Sequence, residues 1–402
     1  MHNPIFLQTM LKAYKYRIYP SEEQKILINK SMGCVRYLYN KALDAKVKHY
    51  EKTGKSLSCF DLITGMLKEE KSKHEWLLEP YSQVLQMPFR NLDNAFNRFF
   101  HKQSKFPKFK SKHRTNSIQY PQHVKVDFKR SLIKLPKIGD IITVFHRKFE
   151  GNIKTVTVSK TPTYKYFVSI LVENDLELPN KPKINPKKTI GIDLGIKDYA
   201  IFSTGDKIDN PKFLDNSLQK LKVLSNRLSR KQKGSKNRNK ARIKLAKLHE
   251  KIKNQRNDFL HKLSHKIISE NQTVILEDLS VKSLIEDSYK NIARNIADCS
   301  WYAFRQFLEY KADWYGKNVV LIGRFEASSK TCSNCGYVNN ELTLKNRIWI
   351  CNECKTEHDR DINAAINIKK FGLVRTRLGR PVEPIEKSGC INRFKEIGSS
   401  CL

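Results

Sequence analysis

Four cysteines stand in two pairs: Cys332-x2-Cys335 and, 15 residues on, Cys351-x2-Cys354. Each pair can grip one metal ion from a tight turn. Together they offer four thiolates in a tetrahedron, the donor set of a zinc ribbon. Such a site has no open position, so its zinc is structural. Gly336, directly after the second ligand, gives the turn a permissive backbone. Chance spacing or a redox CxxC is the rival reading, and the doubled pair weighs against it. Cys34, Cys59, Cys299, Cys390 and Cys401 show no ligand spacing and read as core or incidental residues.

Three carboxylates form a second group. Asp193 lies in Ile190-Gly191-Ile192-Asp193-Leu194-Gly195, Glu277 follows Val274-Ile275-Leu276, and Asp361 opens Asp361-Ile362-Asn363-Ala364-Ala365. An acid in an apolar strand is expensive unless its charge is compensated. Hard oxygen donors at strand ends and a helix start make a ligand set for two Mg2+ ions, which can activate water and stabilise the leaving oxygen of a phosphodiester. Singly, each acid has a plainer reading: Asp193 as a turn residue, Glu277 as a surface charge, Asp361 as a helix N-cap. The order strand-Asp, strand-Glu, helix-Asp is more specific than any member, and it is the skeleton of RNase H-like nucleases. Asp359 competes for the third place and Asp278 for the second.

The elements that must position these groups follow from periodicity. Residues 11–20 alternate as a strand, and Ser21 with Gln24 forms a capping box opening a helix. Helical patterning returns at about 60–75 and 82–103, where Pro88 should kink the helix or delay its start. Residues 116–176 read as short strands, with a hairpin around Thr161-Pro162-Thr163 and turns at Gly139 and Gly151. A small barrel or sheet is expected there, with the strand at 11–20 joining it. Residues 177–188 hold three prolines and read as a linker. Beyond it come a strand, a Gly195 turn and a second strand, then two helices around Gly234 over 214–268. Strands follow at 274–276 and 319–322, with a helix at Trp301–Leu308 between them. A last helix from Asp361 should stop near Gly372.

The net charge is +36 over 402 residues. Such an excess repels itself and points to a polyanion as partner. The 39% hydrophobic content excludes a disordered basic tail, and no apolar run reaches a membrane span. The first ten residues lack the pattern of a signal peptide, so a cytoplasmic protein is expected. From Lys220 to Arg256 there are 15 basic residues and one acid, on helices with a leucine stripe. A second cluster, Lys102 to Arg114, is interleaved with Phe99, Phe100, Phe106 and Phe109. Basic groups grip phosphate and aromatics can stack bases. Phe99 and Phe100 read more readily as core.

The chain resembles the TnpB family of RNA-guided nucleases from insertion sequences, relatives of the type V CRISPR effectors. The matching pieces are Tyr14-Lys15-Tyr16-Arg17-Ile18-Tyr19-Pro20, Phe106-Pro107-Lys108-Phe109-Lys110-Ser111-Lys112, Gly191-Ile192-Asp193-Leu194-Gly195, Leu276-Glu277-Asp278-Leu279, Cys332-Ser333-Asn334-Cys335-Gly336 and Asp359-Arg360-Asp361-Ile362-Asn363-Ala364-Ala365. They span about 10–370. The resemblance implies an α/β RNase H-like (RuvC) nuclease domain at 186–331 and 355–372, split by a zinc ribbon at 332–354. It implies a wedge β-barrel at 10–20 and 116–178, with a helical recognition domain at 21–115 inserted in it. The basic tail, 373–402, matches poorly and is left without a role, as a candidate disordered segment. Asp193, Glu277 and Asp361 become the RuvC triad, the pattern before Asn-Ala-Ala choosing Asp361 over Asp359. The partners implied are a guide RNA from the transposon end and double-stranded target DNA, with no membrane. A monomer is favoured. Lys105, Lys108, Lys110, Lys112, Arg227, Arg230, Lys231 and Arg238 are candidate nucleic-acid contacts. Gln83 and Gln86 are candidates for reading the short motif beside the target.

Two other functions compete. A transposase or resolvase would use the same chemistry on DNA ends without RNA, but nothing in the chain resembles a separate end-binding domain such as a helix-turn-helix. A cleavage-inactive RNA-guided repressor conflicts with an intact triad.

Overall fold

A computed structural model describes residues 9–112, 116–324, 326–343 and 346–377. The basic tail therefore lies outside the described residues from 378 onward, as do Cys390 and Cys401. The chain divides into two compact units between residues 176 and 177.

In the first unit β1 (Thr9–Tyr19) leads directly into a helical insertion, and the remaining strands follow it. The expected capping box is present: Ser21 Oγ accepts from Gln24 N–H at 3.2 Å, and Gln24 Oε1 accepts from Ser21 N–H at 3.0 Å. It starts α1 (Glu22–Thr53), which ends on Gly54 in the left-handed region, φ 67°. Next come α2 (Cys59–Asp61), a π-helical turn, α3 (Leu67–Lys73) and α4 (Ser82–Phe100). Pro88 does not break α4, which runs through it as one helix. Its buried apolar face (Leu85, Phe89, Leu92, Phe96) packs into the same core as Leu38 and Leu43 of α1. That packing offsets the single backbone hydrogen bond a proline removes.

The strands are β2 (Ser117–Tyr120), β3 (Lys125–Asp127), β4 (Leu132–Leu135), β5 (Gly139–Val144), β6 (Asn152–Lys160) and β7 (Tyr166–Glu177). With β1 they form one seven-stranded sheet in the order β2-β6-β7-β1-β5-β4-β3. The chain that leaves β1 for the insertion thus returns to pair with β1 again through β5, Arg17 facing Val144. Alternation puts Tyr16, Ile18, Val156, Val158, Val168 and Ile170 into one core.

The second unit centres on a five-stranded sheet, order β10-β9-β8-β11-β12. Its strands are β8 (Thr189–Leu194), β9 (Asp198–Phe202), β10 (Lys207–Asp209), β11 (Thr273–Glu277) and β12 (Asn318–Ile322). The first three form an antiparallel meander; β11 and β12 are parallel to β8. Helices α5 (Leu218–Ser229) and α6 (Lys236–Glu270) form the expected pair around Gly234. Burial on α6 begins only at its fourth turn, through Leu248, Ile252, Leu260, Leu263 and Ile267. Three more helices, α7 (Val281–Glu286), α8 (Lys290–Cys299) and α9 (Trp301–Trp314), lie between β11 and β12.

The cysteine segment, with hairpin β13 (Ile348–Ile350) and β14 (Glu357–Asp359), separates β12 from α10 (Arg360–Arg377). Helix α10 does not stop at Gly372 but continues through it. Gly372 serves close packing instead, since a Cβ there would lie 2.4 Å from Ile275 Cγ2. Gly191 plays the same part from β8: its Cβ would sit 2.3 Å from Ala365 O and 2.7 Å from Lys369 N. At Gly191 strand and helix meet backbone to backbone, and at Gly372 the helix backbone rests on the Ile275 side chain.

Candidate active site and cysteine knuckle

Asp193 is near the end of β8 and Glu277 is the last residue of β11. These strands are parallel neighbours, Ile192 facing Leu276, so both acids emerge at the same edge of the sheet. Asp361 stands in the first turn of α10, the helix lying on β8. Burial is the main force on Asp193. With the charges of Asp361 and Glu277 it pushes that carboxyl up to about 7, against the opposing pull of Arg360 and a backbone hydrogen bond from Leu194. The Glu277 carboxyl is also raised, by burial first and then by Glu326 and Asp278. Glu326 itself keeps one carboxylate oxygen buried and without a partner.

The two rival acids are already used. Asp278 is held by Arg305 at 2.6 Å and Arg324 at 2.9 Å. Asp359 caps α10: its Oδ1 accepts from Asp361 N–H at 3.0 Å and Ile362 N–H at 3.1 Å. Lys207 reaches its other oxygen at 2.6 Å. Burial raises the Asp359 carboxyl, but Lys207 and these amides outweigh it and hold the group below the usual carboxylate range. The N-cap role available to Asp361 thus falls to Asp359. Asp361 instead takes Arg347 at 2.6 Å on one oxygen and Arg360 at 3.0 Å on the other.

The four cysteine sulfurs lie within 4.8 Å of one another. The Cys335–Cys351 and Cys332–Cys354 sulfur separations are both 3.6 Å. A tetrahedron with Zn–S bonds of about 2.3 Å has edges of about 3.8 Å, so the donor set fits zinc. Gly336 has φ +85°, the left-handed conformation the knuckle turn needs. His358 Nε2 lies 3.0 Å from Cys332 Sγ, and burial pushes its imidazole pKa down.

The other candidates are spread over both units. Lys105, Lys108 and Lys112 are exposed, with Phe109 beside them. Lys110 turns inward: its Nζ sits 3.7 Å from the Tyr39 ring centroid, and burial lowers its pKa to about 8. Phe106 packs edge-on against Phe96 and Phe99. Arg227, Arg230 and Lys231 are exposed. Arg238 is partly committed to structure, its Nη1 donating to Leu228 O at 2.9 Å and Lys231 O at 2.7 Å. Gln83 and Gln86 are in the first two turns of α4, and Gln83 Oε1 is buried without a partner. Sequence reasoning passed over Arg347, Arg360, Asn363 and Asn367. The available signal was two amides four residues apart on an otherwise apolar helix face.

The comparisons follow this geometry. Residues 167–287 match the OrfB_IS605 family, described as "Probable transposase", and residues 301–368 match the Cas12f1-like TNB domain. A solved Cas12f1 in complex with sgRNA and target DNA shares the fold, with a TM-score of 0.57 at 15% identity, over 90% of this chain and 99% of that one. A protein of Streptomyces pristinaespiralis named as an RNA-guided DNA endonuclease is 36% identical over 96% of each chain. The similarly named InsQ of Escherichia coli K12 is 29% identical over 93% of this chain and 95% of its own. The chain thus shares the fold of that Cas12f1, and its TNB-like segment carries four cysteines placed to hold a metal ion. By sequence, the chain belongs to the TnpB family.

Residues 10–55 match a family described as a helix-turn-helix domain, against the expectation that no such likeness exists. In the structure this segment is β1 followed by the single 32-residue helix α1; the next helix, α2, begins at Cys59, beyond the matched residues. No described helix is long and apolar enough to cross a membrane.

Proposed function

We propose that this chain is a transposon-encoded, RNA-guided DNA endonuclease whose active site is Asp193, Glu277 and Asp361. The observation that carries the site is the imbalance around Asp193, a carboxyl pressed by Asp361 and Glu277 and raised to about 7 despite the pull of Arg360. Buried negative charge at a strand edge, only partly offset, is a donor set for hard cations. Mg2+ bound there would activate water and stabilise the leaving oxygen of a phosphodiester. The chain's own part is to bring the three carboxylates to one end of the sheet. Asp193 and Glu277 are fixed by strand register, and Asp361 by a helix pressed onto the sheet. Arg347 and Arg360 occupy Asp361 and must yield, at least in part, to a cation.

In this reading the seven-stranded unit is the wedge, its helical insertion (21–115) is the recognition lobe, and the five-stranded unit is a RuvC domain split by the zinc ribbon. The exposed basic residues of α5 and α6, with Lys105, Lys108 and Lys112, hold guide RNA and target DNA by their phosphates. Sequence is read by base pairing and the flanking motif by the protein. It would act in the cytoplasm, on nucleoid DNA.

The test is to purify the protein with its RNA and replace the guide segment. Cleavage should move to the new target. Cleavage that ignores the guide, or a preparation without RNA that cuts transposon ends, would reject this function in favour of a transposase.

A further inference from the structure

The cysteine knuckle is tied to α10 by more than chain continuity. Asn363 and Asn367, one turn apart on α10, are 1% and 2% exposed and share a helix with buried Ala364, Ala365 and Ile368. Buried amides are costly unless their hydrogen bonds are met. Asn363 Oδ1 accepts from Ser333 N–H at 2.8 Å, and its Nδ2 donates to Thr331 O at 2.7 Å. Asn367 Nδ2 donates to Ser328 O at 2.9 Å and Thr331 O at 2.5 Å. Lys370, near the next turn, donates to Ser333 O. All these contacts bracket Cys332, the first metal ligand.

A second tie comes from the hairpin. Arg360 N–H donates to Arg347 O at 2.8 Å, and the Arg347 guanidinium holds Asp361. The segment has little core of its own, chiefly Cys332, Cys351, Leu342 and Trp349. In so small a core, metal binding supplies much of the folding free energy.

We propose that Asn363 and Asn367 are positioning residues that couple the zinc knuckle to Asp361. An intact knuckle then sets how well the carboxylate site holds its divalent cation. The inference rests on the active-site reading above. Zinc fixes the backbone of residues 328–335. That backbone fixes the two amides, and the amides fix the first turns of α10, where Asp361 stands two residues before Asn363. Loss of the knuckle would orphan two buried amides and loosen that turn.

The test uses the full chain with zinc and guide RNA, comparing Asn363→Ala and Asn367→Ala with the parent. Cleavage is titrated with Mg2+, and zinc release is followed with a chromogenic chelator. The half-saturating Mg2+ concentration should rise about tenfold, as for other residues that support metal ligands. Zinc should leave faster, and high Mg2+ should restore most of the rate. A merely structural defect would lower the maximal rate without moving the Mg2+ midpoint. An unchanged midpoint in both variants, or unchanged zinc release, overturns the proposal. If Asn363→Ala yields no folded protein, Asn363→Ser takes its place in the same titration. Asp361→Asn separates the two readings. Normal cutting by that variant removes the active-site assignment, while zinc release from Asn363→Ala still judges the tie to the knuckle.

Discussion

Each unit withdraws a carboxylate from solvent, fully at Glu70 and partly at Asp193, and the two are treated in opposite ways. In the first unit Glu70 is 2% exposed and well partnered. Tyr37 donates to it at 2.5 Å, with Lys41 at 3.5 Å and His74 at 3.7 Å. In the second unit Asp193 is surrounded chiefly by charge of its own sign. Glu70 is a structural acid whose electrostatics are closed within the fold. Asp193 is pressed by Asp361 and Glu277 and only partly relieved by Arg360 and a backbone hydrogen bond from Leu194. Burial alone would not separate them; the sign of the neighbours does.

The sharpest way to break the comparison is to remove each acid. Asp193→Ala, Glu277→Ala and Asp361→Ala should each lower guided cleavage by about 10^3-fold or more, since metal-assisted stabilisation is worth several kcal/mol. RNA binding should persist. Asp278→Asn and Asp359→Asn should keep cutting; a dead Asp359→Asn with an active Asp361→Ala would transfer the third role.

Glu70→Ala should do the reverse. It should cost about 2 kcal/mol of stability in a urea titration by removing the charged acceptor of the half-buried Tyr37 hydroxyl, yet cut normally at a temperature where it stays folded. A stable but inactive variant would erase the contrast.

A subtler effect concerns pH in the absence of divalent metal. The Asp193 carboxyl ionises near 4 when unfolded and near 7 when folded. Between these values the folded state keeps a proton that the unfolded chain has lost, so stability falls as pH rises from about 4 to about 7. Asp193→Asn should remove that fall. It should be more stable than the parent by about 2 kcal/mol at pH 7.5, a figure discounted for the solvent the carboxyl still meets, and equal near pH 4. Urea midpoints at the two pH values decide it; a parallel pH dependence of parent and variant would mean Asp193 is already compensated.

Much of this was legible in the residues. Asp193 and Glu277 were visible because an acid ending an apolar strand has few structural uses, and the cysteines because metal geometry dictates spacing. Other features were not. Pro88 looks like a breaker because local rules ignore the core that holds α4 together. Gly372 looks like a helix stop, but only the approach of Ile275 reveals its use. Composition cannot tell the surroundings of Asp359 from those of Asp361; in the structure Asp359 caps the helix while Asp361 meets two arginines. Asn363 and Asn367 bond to backbone thirty or more residues away, and no local pattern encodes that.

The cysteine segment enters the chain between the last strand of the sheet and the helix that completes it. Seen as a sequence of events during translation, this placement acts as a timer. Asp193 and Glu277 leave the ribosome first, and Asp361 follows about 80 residues behind Glu277. At 5–20 residues per second that is a delay on the order of ten seconds. A chain interrupted anywhere before the knuckle carries at most two of the three proposed acids and lacks the helix that packs against the sheet. It would be inert toward the genome that encodes it until its last structural piece has been made.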